Sequence, residues 1–256
     1  MSALATLHAR EPRLAWAGTA SLALLGICLL GLVVDPRSLA GVPVWAKPAK
    51  FAASFVLWFW TMAWLWPALS APQRAGRTAR AAVWLMIGAA GLELAWIAGR
   101  AAFGLPSHFA EDRLGQIAYG LMGVGATLLV ALAALLGAMI LAGGNREMDP
   151  PRRLAAGLGL LLTGLVGGAA GWAISLHGGP WIGGPETPAL GPLPFLWSRD
   201  GGDLRVAHFI GMHAMQALPL AAALFASRRA VWAAGLGCVV LAGASFAQAL
   251  AGRPLV

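Results

Sequence analysis

Long apolar runs recur from one end of this chain to the other and leave only short polar segments between them. A helix needs about 20 mainly apolar residues to cross a membrane, because its backbone polar groups must be satisfied internally in hydrocarbon. Of the 256 residues, 59% are hydrophobic and 11% are charged, too few charges for an ordinary water-exposed surface. The sequence therefore predicts an all-α, polytopic transmembrane helix bundle, with residues 1–256 forming a single domain.

About seven segments are long enough to span a membrane. The first is too long for the hydrophobic part of a signal peptide, so we expect an uncleaved span. Ten Lys and Arg residues fall on one side and eight on the other, which predicts the N-terminus inside and the C-terminus outside. The predicted spans lie near 14–34, 48–69, 81–98, 114–142, 154–176, 206–226 and 230–251, with a long outer loop at 177–205.

The net charge of +8 comes from 18 basic and 10 acidic residues, and no basic run exceeds two residues. A nucleic-acid partner would need a clustered cationic surface, so we expect none. The outer loop carries Trp181, Pro194, Phe195 and Trp197, which favour either a lid over a site or an anchor in the headgroup region.

The fifth span contains two GxxxG pairs, Gly164 with Gly168 and Gly167 with Gly171. Such pairs let a neighbouring helix approach closely. The neighbour could belong to the same chain or to a second copy, so the sequence leaves a homo-oligomer open.

Glu93 is a carboxylate well inside a predicted span, about 10 Å below the outer boundary. It lies seven residues before Arg100, so the two side chains share a helix face. A charged group in hydrocarbon is by default a site candidate, as a proton carrier, general base or metal ligand. The alternative is a structural ion pair with Arg100.

The sixth predicted span enters from the outer side and brings His213 to about the depth of Glu93. Gln216 follows three residues later on the same face. His208 precedes His213 by five residues, so the two histidines face different directions unless the helix breaks. Pro219 removes a backbone hydrogen bond and Gly211 loosens the turn above, which makes a distortion plausible.

The second span begins with Lys47 and Lys50, followed on one face by Ser54. Two lysines in the first turn oppose the helix dipole, and an anion nearby would relieve this. We therefore expect these residues, with Arg100 and Gln216, to bind an anionic lipid or small molecule. Lysines reaching to the membrane interface are the alternative interpretation.

Three short strings, at 47–51 (KPAKF), 107–109 (SHF) and 208–216 (HFIGMHAMQ), resemble motifs of a group of uncharacterised bacterial membrane proteins. The likeness covers roughly residues 45–220. It implies a bacterial inner-membrane setting and carries over no activity.

The sequence supports three functional hypotheses. The first is a membrane-embedded enzyme with Glu93 and His213 as catalytic residues and a metal ion or haem held by His108, His208 and His213. The second is a proton-coupled transporter or receptor for an anionic small molecule or lipid. The third is a structural or assembly protein without chemistry of its own. The identity of any cofactor is unknown at this level.

Overall fold

The computed structural model describes residues 2–108, 112–185 and 188–255. It is 75% helical and has almost no strand, so the predicted all-α class is confirmed. The strands form two short antiparallel pairs, β1 (Ser38–Leu39) with β2 (Val42–Pro43) and β3 (Trp181–Ile182) with β4 (Gly202–Asp203). The helices are α1 (Ala3–Arg10), α2 (Pro12–Val34), α3 (Ala46–Leu65), α4 (Ala71–Ala75), α5 (Arg77–Ala102), α6 (Arg113–Gly143), α7 (Pro150–Leu162), α8 (Gly168–His177), α9 (Arg205–Met212), α10 (Ala214–Phe225) and α11 (Arg228–Leu250).

Six helical segments in the described part of the chain are long and apolar enough to cross a membrane. They are α2, α3 with the 3₁₀ turn Trp66–Ala68, α5, α6, α7 joined to α8, and α11. The pair α9 and α10 is bent by 46° and adds a seventh span if it is counted as one. These helices indicate a multi-pass membrane protein.

Local sequence signals explain where several of these helices begin or end. Pro12 and Pro150 stand at the start of α2 and α7, where a missing N–H costs nothing. The side chain of Asp149 accepts a hydrogen bond from the Arg152 backbone N–H at 3.3 Å, and so caps α7. Gly178, with φ of 76°, ends α8 in the left-handed conformation that glycine adopts most easily.

The chain groups into two compact units. Unit 1 comprises Met1–Pro67 and Arg80–Leu129, and unit 2 comprises Ala68–Ala79 and Val130–Val256.

In unit 1, α2 packs along α3, and tryptophan rings lie against glycines of α2. Gly18 lies against the indole of Trp60, and a Cβ at Gly31 would lie 2.6 Å from the ring of Trp45. The Trp60 indole N–H donates to the carbonyl of Ala15 at 3.4 Å. These close contacts bury one side of α3 against α2.

In unit 2, small residues let the helices approach to backbone contact. A Cβ at Gly137 of α6 would lie 2.6 Å from the carbonyl oxygen of Gly157 in α7. An apolar cluster joins α7, α10 and α11, and consists of Ala155, Leu158, Ala214, Leu218, Ala222 and Val231.

Candidate functional site

Glu93 is buried on α5 of unit 1, with 7% of its surface exposed. The ammonium of Lys47, in the first turn of α3, is close enough to act electrostatically on it. A carboxylate in hydrocarbon is expensive unless a cation or a proton accompanies it. Unit 1 therefore brings together two of the residues predicted for the site, the acidic Glu93 and the basic Lys47.

His108 joins the same group from the segment between α5 and α6. Its Nδ1 lies 3.3 Å from the hydroxyl of the buried Ser107, and its ring contacts the rings of Phe51 and Tyr119 at centroid distances of 6.0 and 5.6 Å. Burial, and then the positive charge of Lys47, lower the pKa of His108 to about 3, although a hydrogen bond at Ser107 opposes this. The imidazole is therefore neutral over the usual pH range.

Arg100 braces the segment that carries His108. Its guanidinium bonds the Asp112 carboxylate at 2.6 Å and the Pro106 carbonyl at 2.8 Å, and it lies over the ring of Trp96. The Trp96 indole N–H donates in turn to the Ser107 carbonyl at 2.9 Å. Arg100 thus pairs with Asp112, whereas the structural alternative drawn from the sequence paired it with Glu93. Its observed contacts are those of a positioning residue.

The other two residues predicted on α3 differ in burial. Ser54 is exposed, and its hydroxyl donates to the Lys50 carbonyl of its own helix at 3.0 Å. A hydroxyl satisfied in this way is common where a helix faces lipid. Lys50 is half-buried.

The neutral state of His108 gives unit 1 a specific pH dependence. Because its pKa falls from 6.5 to about 3 on folding, its contribution to stability is complete above pH 6.5 and is lost as the pH falls towards 3. We expect the protein to lose about 2 kcal/mol from this residue between pH 7.5 and pH 5. Thermal unfolding in nanodiscs across that range measures it.

The matched comparison is His108→Gln against His177→Gln, since His177 is exposed at the end of α8. The His108 variant should show a flatter dependence of unfolding temperature on pH, and the His177 variant should keep that of the wild type. Equal slopes in all three proteins would contradict the buried, neutral imidazole.

The remaining predicted residues belong to unit 2. His208 on α9 donates from Nδ1 to the Gly167 carbonyl at 2.8 Å, and its ring packs on Gly171. This hydrogen bond reaches a carbonyl in the π-helical segment Thr163–Gly167, which joins α7 to α8. The imidazole of His208 therefore contributes to helix packing.

The span formed by α9 and α10 breaks at His213, which has φ of −89° and ψ of 4°. Thr163 bridges the break, because its hydroxyl donates to the Met212 carbonyl at 3.3 Å and accepts from the Met215 N–H at 3.0 Å. Thr163 is fully buried. A side chain that replaces lost backbone bonds lets a broken helix persist without water.

His213 itself lies beneath an aromatic group. Its ring is 4.2 Å from that of Phe209, and Phe209 contacts Phe195 and Trp197, in the loop between α8 and α9, at 5.3 and 5.7 Å. Gln216 hydrogen-bonds to the His213 side chain, as their spacing predicted. The aromatic residues of the loop therefore lie next to the predicted site residue His213, as expected for a lid over a site. Phe195 is also partly exposed, as expected for an anchor in the headgroup region.

The loop between α8 and α9 is held by buried polar groups of its own. Asp203 is 3% exposed, and its carboxylate accepts from the Ser198 N–H and from the side chain of Arg205. The Ser198 hydroxyl accepts from the Gly201 N–H at 3.1 Å. The loop is therefore a folded element with defined contacts.

Among residues 2–108, 112–185 and 188–255, no group of three or more His, Cys, Asp or Glu side chains could hold a metal ion. His108 belongs to unit 1, and His208 and His213 belong to unit 2. The metal or haem centre stays a prediction.

Sequence reasoning missed residues that the two units bring into the site regions. Thr163 has no charge and lies in a glycine-rich helix, so only the break that it bridges shows its role. Phe51 and Tyr119 contact His108 from α3 and α6, and no spacing connects them in the sequence. Trp58 shares a helix face with Lys47, eleven residues earlier, and that spacing could have indicated it.

No protein-family model matches this chain, and neither a curated protein nor a solved structure matches it.

Proposed function

We propose that this protein binds an anionic small molecule or lipid headgroup at Lys47 and couples that binding to a proton on Glu93. The observation that carries the proposal is the burial of Glu93 within electrostatic range of Lys47. The function is that of a proton-coupled transporter or receptor. We place it in a bacterial inner membrane, with seven spans, the N-terminus inside and the site in the outer half.

The coupling follows from the charges. An anion that binds the Lys47 ammonium competes with Glu93 for the same cation, and a carboxylate left without its cation in hydrocarbon is costly. Glu93 would take up a proton as the anion binds. One proton therefore accompanies one negative charge into unit 1, and binding should weaken as the pH rises.

Other residues of unit 1 have supporting roles. Because the imidazole of His108 is neutral, it can donate or accept a hydrogen bond with the ligand or with a proton carrier, and it adds no charge to the site. Arg100 holds the segment that carries His108 through Asp112 and the Pro106 carbonyl. Lys50 would add positive potential at the start of α3.

Calorimetric titration of purified protein tests the coupling. The probes are octadecanoate and inorganic phosphate, titrated in two buffers with different ionisation enthalpies so that proton uptake is measured directly. We expect the wild type to take up one proton for each octadecanoate bound. Lys47→Gln should bind about tenfold more weakly, because a charge-assisted hydrogen bond is lost.

Glu93→Gln is the decisive variant, since it should still bind the anion but without proton uptake. Arg199→Gln is the matched control, because Arg199 is an exposed cation of the outer loop. Unchanged proton uptake in Glu93→Gln would overturn the coupling, and failure of both probes to bind the wild type would overturn the anion site.

A further inference from the structure

The indole of Trp58, on α3 of unit 1, carries an unsatisfied hydrogen-bond donor. The residue is 6% exposed, and its Nε1 has no hydrogen-bond partner within the part of the chain that the structure describes. A buried N–H without an acceptor costs free energy that a bound molecule with an acceptor can recover. The position therefore indicates a missing acceptor.

Other indoles of unit 1 do have acceptors. Trp45 donates to the Asp35 carboxylate at 2.8 Å, Trp60 to the Ala15 carbonyl at 3.4 Å, and Trp96 to the Ser107 carbonyl at 2.9 Å. In these three cases the fold itself supplies the acceptor. Trp58 departs from this pattern although it is as buried as a core residue.

The position of Trp58 relates it to the anion site. It lies eleven residues after Lys47 and seven after Phe51, which places all three within about 40° of one another around α3. Along the helix axis, Trp58 lies about 16 Å deeper than Lys47. Phe51, which contacts His108, lies between them, so the path from Lys47 to Trp58 begins polar and becomes apolar.

We propose that the ligand of unit 1 is a long-chain amphiphile, with its anionic group at Lys47, its chain along Phe51, and an uncharged chain oxygen accepting from the Trp58 indole N–H. This inference rests on the proposed anion site and names its ligand class. A small hydrophilic anion at Lys47 could not reach Trp58. A plain saturated chain could reach the indole but would leave the N–H unsatisfied.

Two probes of equal length separate these cases. In 10-oxooctadecanoate a carbonyl lies midway along the chain, whereas octadecanoate has the same carboxylate and chain without it. We expect the oxo acid to bind about tenfold more tightly, because it satisfies a buried donor that octadecanoate leaves unsatisfied. Its binding should also move the Trp58 indole proton resonance downfield in ¹H–¹⁵N spectra of tryptophan-labelled protein in nanodiscs.

Trp58→Phe identifies the resonance and provides the matched variant. It should remove the preference for the oxo acid, so that the two acids bind with equal affinity. Should this variant fail to fold, the two probes compared on the wild type still decide the question, since the oxo acid alone should move an indole resonance.

The possible failures are distinguishable. If octadecanoate binding depends on Lys47 but the oxo acid binds no better, the anion site stands and the Trp58 contact is wrong. If the Trp58 indole proton is already downfield and neither acid moves it, the acceptor is an ordered water only, which also overturns the inference. If neither acid binds, this inference fails, and the anion site fails with it when inorganic phosphate does not bind either.

Discussion

Gly211→Ala should sharply reduce the amount of folded protein recovered in detergent. A Cβ at Gly211 would overlap the backbone nitrogen of Gly167 and lie 2.6 Å from its Cα, so the clash is with backbone that no side-chain rotation can relieve. We expect a loss of about 3 kcal/mol in the free energy of unfolding, because α9 must separate from the π-helical segment Thr163–Gly167. Thermal unfolding of the purified variant measures it.

Gly237→Ala is the control for this prediction. Gly237 lies in α11 of the same unit, and a Cβ there meets nothing within 4 Å. That variant should be as stable as the wild type or slightly more stable, because alanine favours the helix. Equal stability of the two variants would mean that α9 does not cross the π-helical segment as closely as described.

Asp203→Ala should unfold the loop between α8 and α9 while leaving the spans in place. Asp203 is buried, and its carboxylate holds the side chain and backbone N–H of Arg205 as well as the Ser198 N–H. Removing one member of a buried ion pair costs about 3 kcal/mol, since the other charge and donors lose their partner. Cleavage by added protease between α8 and α9 should become at least about tenfold faster.

Asp200→Ala provides the comparison, because Asp200 is exposed and accepts one hydrogen bond, from the Ala189 N–H. We expect it to change cleavage far less than Asp203→Ala does. If both variants are cleaved at the same rate, the loop is not held by its buried carboxylate.

The helical class and the approximate positions of the membrane-spanning segments could be predicted from the sequence. Hydrocarbon requires each crossing backbone to satisfy its own hydrogen bonds, so apolar length alone identifies a candidate span. The broken span was also indicated, since Gly211 and Pro219 weaken the helix on either side of His213. The bend at His213 needed the structure, because its position is set by the Thr163 hydroxyl of another helix.

The faces of α3 could not be predicted from spacing. A span is apolar on both its lipid side and its packed side, so a line of polar residues does not show which side it occupies. The sequence placed Lys47, Lys50 and Ser54 on one face, yet Ser54 is exposed whereas both lysines are half-buried. The side that adjoins His108 carries Phe51, and aromatic residues gave no reason to select it.

The spacing of charged residues in the sequence likewise did not identify the ion-pair partner of Arg100. Its two-turn spacing from Glu93 suggested an ion pair along one helix. In unit 1 the guanidinium bonds Asp112, twelve residues later and beyond the end of α5. A long side chain near a helix end has several acceptors within reach, and only the path of the following segment decides among them.

Both GxxxG pairs of the fifth span are occupied within their own unit. Gly164 and Gly168 pack against Ala134 and Val130 of α6. Gly167 and Gly171 pack against Met212 and His208 of α9. A second copy of the chain could not use these grooves without displacing α6 or α9. Any dimer contact would have to form on another surface, so cross-linking cysteines intended to detect self-association belong away from these four glycines.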